Sequence, residues 1–165
     1  MASLDERVKQ LERMVQELQA EREIRELLAR YGFNADMDRT DAYVSLYTED
    51  GGIDLGPDNR HMGRETVRKW ISTRPARTQP EVHGKRCHLQ GMNVVCHING
   101  DDAVVNSYSL PMFLEPPGSP NKYRMSLGVN RWVLKKVRGK WLIKERWRRE
   151  LGAPDYRKAL DTTPE

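Results

Sequence analysis

Leu4, Val8, Leu11, Val15 and Leu18 recur at alternating intervals of four and three, the spacing of a helix that offers one apolar seam to a partner. Ser3-Leu4-Asp5-Glu6 has the S-x-x-E form of a capping box and marks the helix start. Val at the a positions and Leu at d suit helix pairing, although about two heptads are too few for a free-standing coiled coil. The register ends at Arg22 and Arg25, and Ile24, Leu27, Leu28 and Tyr31 then set a new apolar face. An assembly arm entering the body of a fold has this pattern.

Residues 41–47 continue helically through Tyr43, Val44, Leu46 and Tyr47, and Thr48-Glu49-Asp50-Gly51-Gly52 reads as a break. A short strand at 53–55 and a turn at Gly56-Pro57-Asp58-Asn59 lead to a second helix over 64–72, with Val67, Trp70 and Ile71 as its buried face. Residues 73–84 are proline-rich and irregular, as in a rim or lid. The C-terminal half reads as strands. Residues 92–98 and 103–114 flank Asn99-Gly100-Asp101-Asp102, and 129–137 and 141–149 flank Arg138-Gly139-Lys140, two hairpin signals. Helices first and long antiparallel strands afterwards predict an α+β layout in which a curved sheet wraps the helices and leaves a pocket between them.

A chain of 165 residues fits one domain with a small pocket. With 32% charged residues and only short apolar runs, no segment is expected to cross a bilayer, and the N-terminus lacks the order of a signal peptide. A soluble, cytoplasmic protein is expected. Cys87 and Cys96 have neither metal-ligand spacing nor a disulfide framework, so no metal is expected. The net charge of +4 resides largely in Lys135, Lys136, Arg138, Lys140, Lys144, Arg146, Arg148 and Arg149. These read as a solvated outer sheet face, so nucleic acid is not an expected partner.

The candidate chemistry starts from a helix that carries Leu27, Tyr31, Asn34 and Asp38 on one face, since an acid on an apolar face wants a partner. His88 heads an alternating strand pattern at Arg86-Cys87-His88-Leu89, and an Asp that orients a His is a recurrent general-base unit. Asp36 lies two positions away on the helix and is expected to point elsewhere, which favours Asp38 as the acid. His61, His83 and His97 are weaker rivals. Tyr31 is the hydroxyl expected to assist catalysis, and Asn34, Tyr43, Tyr47, Trp70, Tyr108, Asn130 and Arg131 are expected to border the substrate.

Glu23-Ile24-Arg25-Glu26-Leu27-Leu28-Ala29-Arg30-Tyr31, Tyr47-Thr48-Glu49-Asp50, Met62-Gly63-Arg64-Glu65, Cys87-His88-Leu89, Ile98-Asn99-Gly100-Asp101-Asp102-Ala103 and Gly139-Lys140-Trp141-Leu142-Ile143 together resemble the SnoaL-like proteins of the nuclear transport factor 2-like superfamily. The resemblance spans roughly residues 20–150. It implies a conical α+β barrel with an apolar, one-mouthed pocket, and it divides the chain into a helical arm at 1–22, a SnoaL-like domain at 23–151 and an irregular tail at 152–165. Several of its lyases use a His-Asp dyad without a cofactor, a pair that maps onto His88 and Asp38.

The expected function is a cofactor-independent lyase of the dehydratase type, or a formaldehyde-releasing one, acting on a small apolar aromatic or polycyclic substrate. An isomerase or cyclase of the same fold, a non-catalytic binding or assembly module, and an oxygenase small subunit are the alternatives. The arm predicts a homo-oligomer, a trimer by resemblance or a dimer by its a/d residues.

Overall fold

A computed structural model describes residues 2–74 and 84–161. Helix α1 runs unbroken from Leu4–Asp36, opened by the capping box in which Ser3 and Glu6 exchange side-chain bonds with each other's backbone N–H. At about 1.5 Å per residue its 33 residues span about 50 Å. Residues 4–19 are exposed, and burial begins at Ala20 and continues through Ile24, Leu27, Leu28, Tyr31, Gly32 and Ala35. The arm and the core helix are thus one rod.

The remaining elements are α2 (Thr40–Val44), β1 (Tyr47–Asp54), β2 (Arg60–Met62), α3 (Arg64–Ser72), β3 (Arg86–Asn99), β4 (Asp102–Leu114), β5 (Tyr123–Met125), β6 (Gly128–Val137), β7 (Lys140–Glu150) and a 3-10 turn at Tyr156–Ala159. One open sheet has the order β2-β1-β7-β6-β4-β3, with β5 added to β4. Every pairing is antiparallel except β1 with β7. The two predicted hairpins are present, with Gly100 and the Arg138-Gly139 pair at positive φ where the chain reverses. Ile24, Leu28, Tyr43, Val67, Val105, Trp132, Leu134 and Ile143 are fully or almost fully buried between the helices and the concave side of the sheet. Among the described residues no helix is long and apolar enough to cross a membrane.

The expected break at 48–52 is a strand instead. Gly51 and Gly52 lie so close to neighbouring backbone, the Ile143 carbonyl on one side and the His61 carbonyl on the other, that an added Cβ would collide. The Gly pair therefore marks close strand packing rather than a turn. Gly32 has the same role between layers: a Cβ there would sit 2.7 Å from the His88 carbonyl oxygen, so glycine lets α1 settle onto β3.

A further departure lies in β7. Ile143 faces Leu134, yet Glu145 faces Val133 and Arg146 faces Trp132, because Lys144 is an extra residue in the ladder. This bulge reverses the alternation, and Ile143, Arg146 and Arg148 share the concave face.

Candidate functional site

Helix α1 ends at Asp36. Met37 is its C-cap and Asp38 follows with φ of 55°, a left-handed conformation that turns the chain away from the helical course. Asp36 and Asp38 consequently reach two different residues of β3. Arg86 and His88, at i and i+2, point to the same side of that strand, and Asp38 pairs with Arg86 while Asp36 pairs with His88. Arg86 also donates to the Ala35 carbonyl at 2.5 Å, a cation closing a helix C-terminus.

Asp36 holds His88 by two bonds. Its Oδ1 lies 2.5 Å from the ring Nδ1, and its Oδ2 accepts the backbone N–H of the same residue at 2.8 Å. The His88 side chain is 9% exposed and that of Asp36 18%. The expected pairing of His88 with Asp38 is therefore corrected to Asp36, because the helix stops before Asp38 and helical phase does not extend to it. Burial holds the His88 imidazole below its ordinary pKa of 6.5; the bond and charge of Asp36 oppose that effect, and Arg74 and Arg146 add to it. Its Nε2 makes no hydrogen bond among the described residues.

Tyr31 is buried at the centre of a hydroxyl chain. It accepts from Tyr43 at 2.5 Å and from Arg146, and Tyr43 lies 3.4 Å from the Tyr47 hydroxyl. With two donors already on its oxygen, its own O–H proton is directed elsewhere. Burial raises Tyr43 and Tyr47 well above the ordinary phenol range, so both stay protonated. Trp132 packs edge-on against Tyr31 at 5.1 Å between ring centres and donates to Ser107. Asn130 is fully buried, and its Oδ1 accepts from Arg146 Nε at 3.0 Å.

Two expected residues lie elsewhere. Tyr108 and Arg131 alternate with Ser107 and Asn130, which face inward, so both sit on the opposite face of the sheet. Arg131 instead borders a groove of about 1060 Å³ between the arm and the sheet, with Met14, Leu18, His97 and Val133 among its other walls. His97 is half-buried there. Trp70 stacks on His61 at 5.0 Å and under Arg74, and Asn34 is half-buried with no side-chain hydrogen bond among the described residues. His83 and most of the proline-rich segment lie outside the described residues. No group of three or more metal-binding side chains occurs among the described residues.

The basic residues at the end of β7 are not a solvated face. Arg146 and Arg149 are buried, and Arg149 is paired with Asp54 and Asp155. Lys135, Lys140 and Lys144 do remain at the surface or near it. Phe113 packs edge-on against the His88 ring at 6.1 Å, and Asp36, Arg74 and Arg146 are the charged groups that act on it.

A model of the SnoaL-like domain matches residues 16–147. No curated protein sequence matches the chain. Among solved structures, an NTF2-like protein with a cystatin-like fold from Novosphingobium aromaticivorans is similar with a TM-score of 0.82 and 24% identity, over 98% of this chain and 99% of that one. A candidate scytalone dehydratase from the same organism follows with a TM-score of 0.72, 20% identity and coverage of 84% and 88%. A type 2 hexachlorocyclohexane dehydrochlorinase is similar at a TM-score of 0.69 and 14% identity, over 82% and 88% of the two chains. At these identities the structural likeness establishes the fold.

Proposed function

The chain belongs to the SnoaL-like domain family, and from that premise we propose that it is a lyase working by proton abstraction and elimination, with His88 as base, Asp36 as its orienting carboxylate and Tyr31 as hydroxyl donor. The observation that carries this reading is the double hold of Asp36 on His88, through the ring Nδ1 and the backbone N–H. A carboxylate at Nδ1 keeps the proton there and leaves the lone pair on Nε2. Burial favours the neutral ring, the form a base needs near pH 7.

In the leading version Nε2 takes a proton from a carbon beside a carbonyl or phenol-like group. The released electron pair forms the new double bond as the C–O bond to the departing hydroxyl breaks. The imidazolium returns its proton to that oxygen, water leaves, and His88 is neutral again. The Tyr31 O–H, already accepting from Arg146 and Tyr43, donates to the substrate oxygen on which negative charge gathers. Loss of formaldehyde begins instead at a hydroxymethyl O–H, with a C–C bond breaking. Isomerisation or cyclisation starts from the same proton transfer. Each is redox-neutral. A binding or assembly module has no need of a short His–Asp bond, which favours the enzymatic reading.

The test is a screen of hydroxylated aromatic compounds by mass and absorbance, with His88→Ala and Asp36→Asn beside the wild type. Turnover that disappears in both variants supports the reading. Turnover that survives in His88→Ala removes it.

A further inference from the structure

We propose that the substrate carries a carboxylate, seated against the guanidinium groups of Arg146 and Arg148 with the amide NH2 of Asn130 as a third donor; the word substrate rests on the reading of the His88 site as the reacting centre. A buried guanidinium is costly unless an anion faces it. Arg146 is 5% exposed, and its hydrogen-bond partners among the described residues are the Asn130 amide and the Tyr31 hydroxyl, both neutral. The rings of Tyr31 and Trp132 cover it at 4.7 and 4.9 Å. Of its five N–H groups, these partners take two.

Arg148 lies two residues on, on the same face. It donates to Ser109 Oγ at 3.2 Å and to the carbonyl and hydroxyl of Ser126 at 2.8 Å each. Its carboxylate partner is Glu150, 3.6 Å from Nη1 and mostly exposed. Burial, and after it the positive charge of Arg146, lowers the Arg148 pKa to about 10. Gly128 makes room for this group, since a Cβ there would meet the guanidinium at 2.7 Å.

Among the described residues, Asp36 is engaged by His88, Asp38 by Arg86, and Asp54 and Asp155 by Arg149. A buried guanidinium and a half-buried one therefore adjoin, with the exposed Glu150 as the carboxylate against the second. Asn130 adds an independent sign of a ligand. Its Oδ1 is occupied by Arg146, and its Nδ2 is buried without a hydrogen-bond partner among the described residues. Gln90, whose strand partner is Ser109, likewise leaves both amide atoms buried and unpartnered. The donors are side chains on mid-strand positions, because the backbone N–H groups of β6 and β7 are taken up by the ladder. Planar N–H forks match the two oxygens of a carboxylate. The aromatic walls suit a flat organic acid.

Benzoate, benzamide and inorganic phosphate are titrated calorimetrically into the full chain at low ionic strength. The expected result is saturable benzoate binding, with benzamide and phosphate each at least tenfold weaker. Arg146→Gln and Arg148→Gln each weaken benzoate tenfold or more, while His88→Ala retains it. Equal binding of benzamide or phosphate by the wild type overturns the assignment, and that comparison does not depend on any variant folding. Benzoate binding without turnover of any aromatic acid would sink the lyase reading alone; turnover of neutral substrates without benzoate binding would sink the carboxylate site alone.

Discussion

Replacing Asp36 with Asn keeps the shape of the carboxylate and removes half of what it does. In the native arrangement both oxygens accept, one from the His88 Nδ1–H and one from the His88 backbone N–H. An amide has one acceptor and one donor. The backbone N–H cannot change role, so the amide oxygen takes it and the NH2 faces Nδ1. Nδ1 must then accept, the ring proton moves to Nε2, and the base is lost without loss of either hydrogen bond. The expected loss in kcat/KM is about 10²–10⁴-fold, the range supplied by a positioned general base, equivalent to about 3–5 kcal/mol of transition-state stabilisation. The stability change should stay within about 1.5 kcal/mol, the size of one net hydrogen bond. Asp38→Asn should do the opposite. It withdraws the nearer of the two carboxylates facing Arg86, whose side chain is 4% exposed and which keeps Asp36 at 4.0 Å, and costs up to about 3 kcal/mol of stability. It leaves kcat/KM within about tenfold, since Asp38 does not touch His88. Initial rates on a substrate from the screen, beside thermal unfolding of both variants, measure this contrast. Wild-type rates in Asp36→Asn, or the larger rate loss in Asp38→Asn, would refute the reasoning.

Because burial lowers the His88 pKa, kcat/KM should be level above pH 6.5 and decline as pH falls through the lower folded value, with Asp36, Arg74 and Arg146 as the charged groups facing the ring. The same shift means that the stability contributed by the neutral ring is complete above pH 6.5 and lost as acid protonates it in the fold, which denaturant titrations from pH 8 to 5 will show and His88→Gln will remove. Gly32→Ala should destabilise by about 1–2 kcal/mol, as overpacking against the His88 carbonyl outweighs the gain in helix propensity, and a thermal shift upward would contradict this. For the arm, we propose that the exposed stripe of Leu4, Val8, Leu11, Val15 and Leu18 pairs with other copies of the chain. A chain starting at residue 20 should sediment as a smaller species than the full chain with an unchanged melting temperature, and identical oligomeric states would defeat the proposal.

The layout was legible where local signals and burial agree. The Ser3 capping box, the apolar face from Ile24 to Tyr31 and the two glycine-bearing hairpin turns appear as the pattern predicts. The site was legible in its residue types but not in its pairing. His88, Tyr31, Tyr43, Tyr47 and Asn130 do share the interior, yet the choice between Asp36 and Asp38 depended on where α1 ends. Met37-Asp38-Arg39 has no Gly or Pro to announce that end, and Asp38 adopts its positive φ as a non-glycine residue. Arg146 and Arg148 were hidden by the bulge at Lys144. Counting alternately from the buried Trp141 and Ile143 leads to Glu145 and Trp147, and one extra residue transfers the inward positions to the arginines. Gly51-Gly52 misled for a related reason, since the closeness of neighbouring strands is a long-range property that composition alone does not carry.

The central claim is that the Asp36 carboxylate keeps the His88 proton on Nδ1 and the lone pair on Nε2. Nitrogen-15 NMR of the histidine rings near neutral pH measures that directly. A protonated, strongly hydrogen-bonded Nδ1 and a bare Nε2 are expected for His88 in the wild type and in Asp38→Asn, with the proton transferred to Nε2 in Asp36→Asn. A His88 ring protonated at Nε2 in the wild type, or one indifferent to Asp36→Asn, would contradict it.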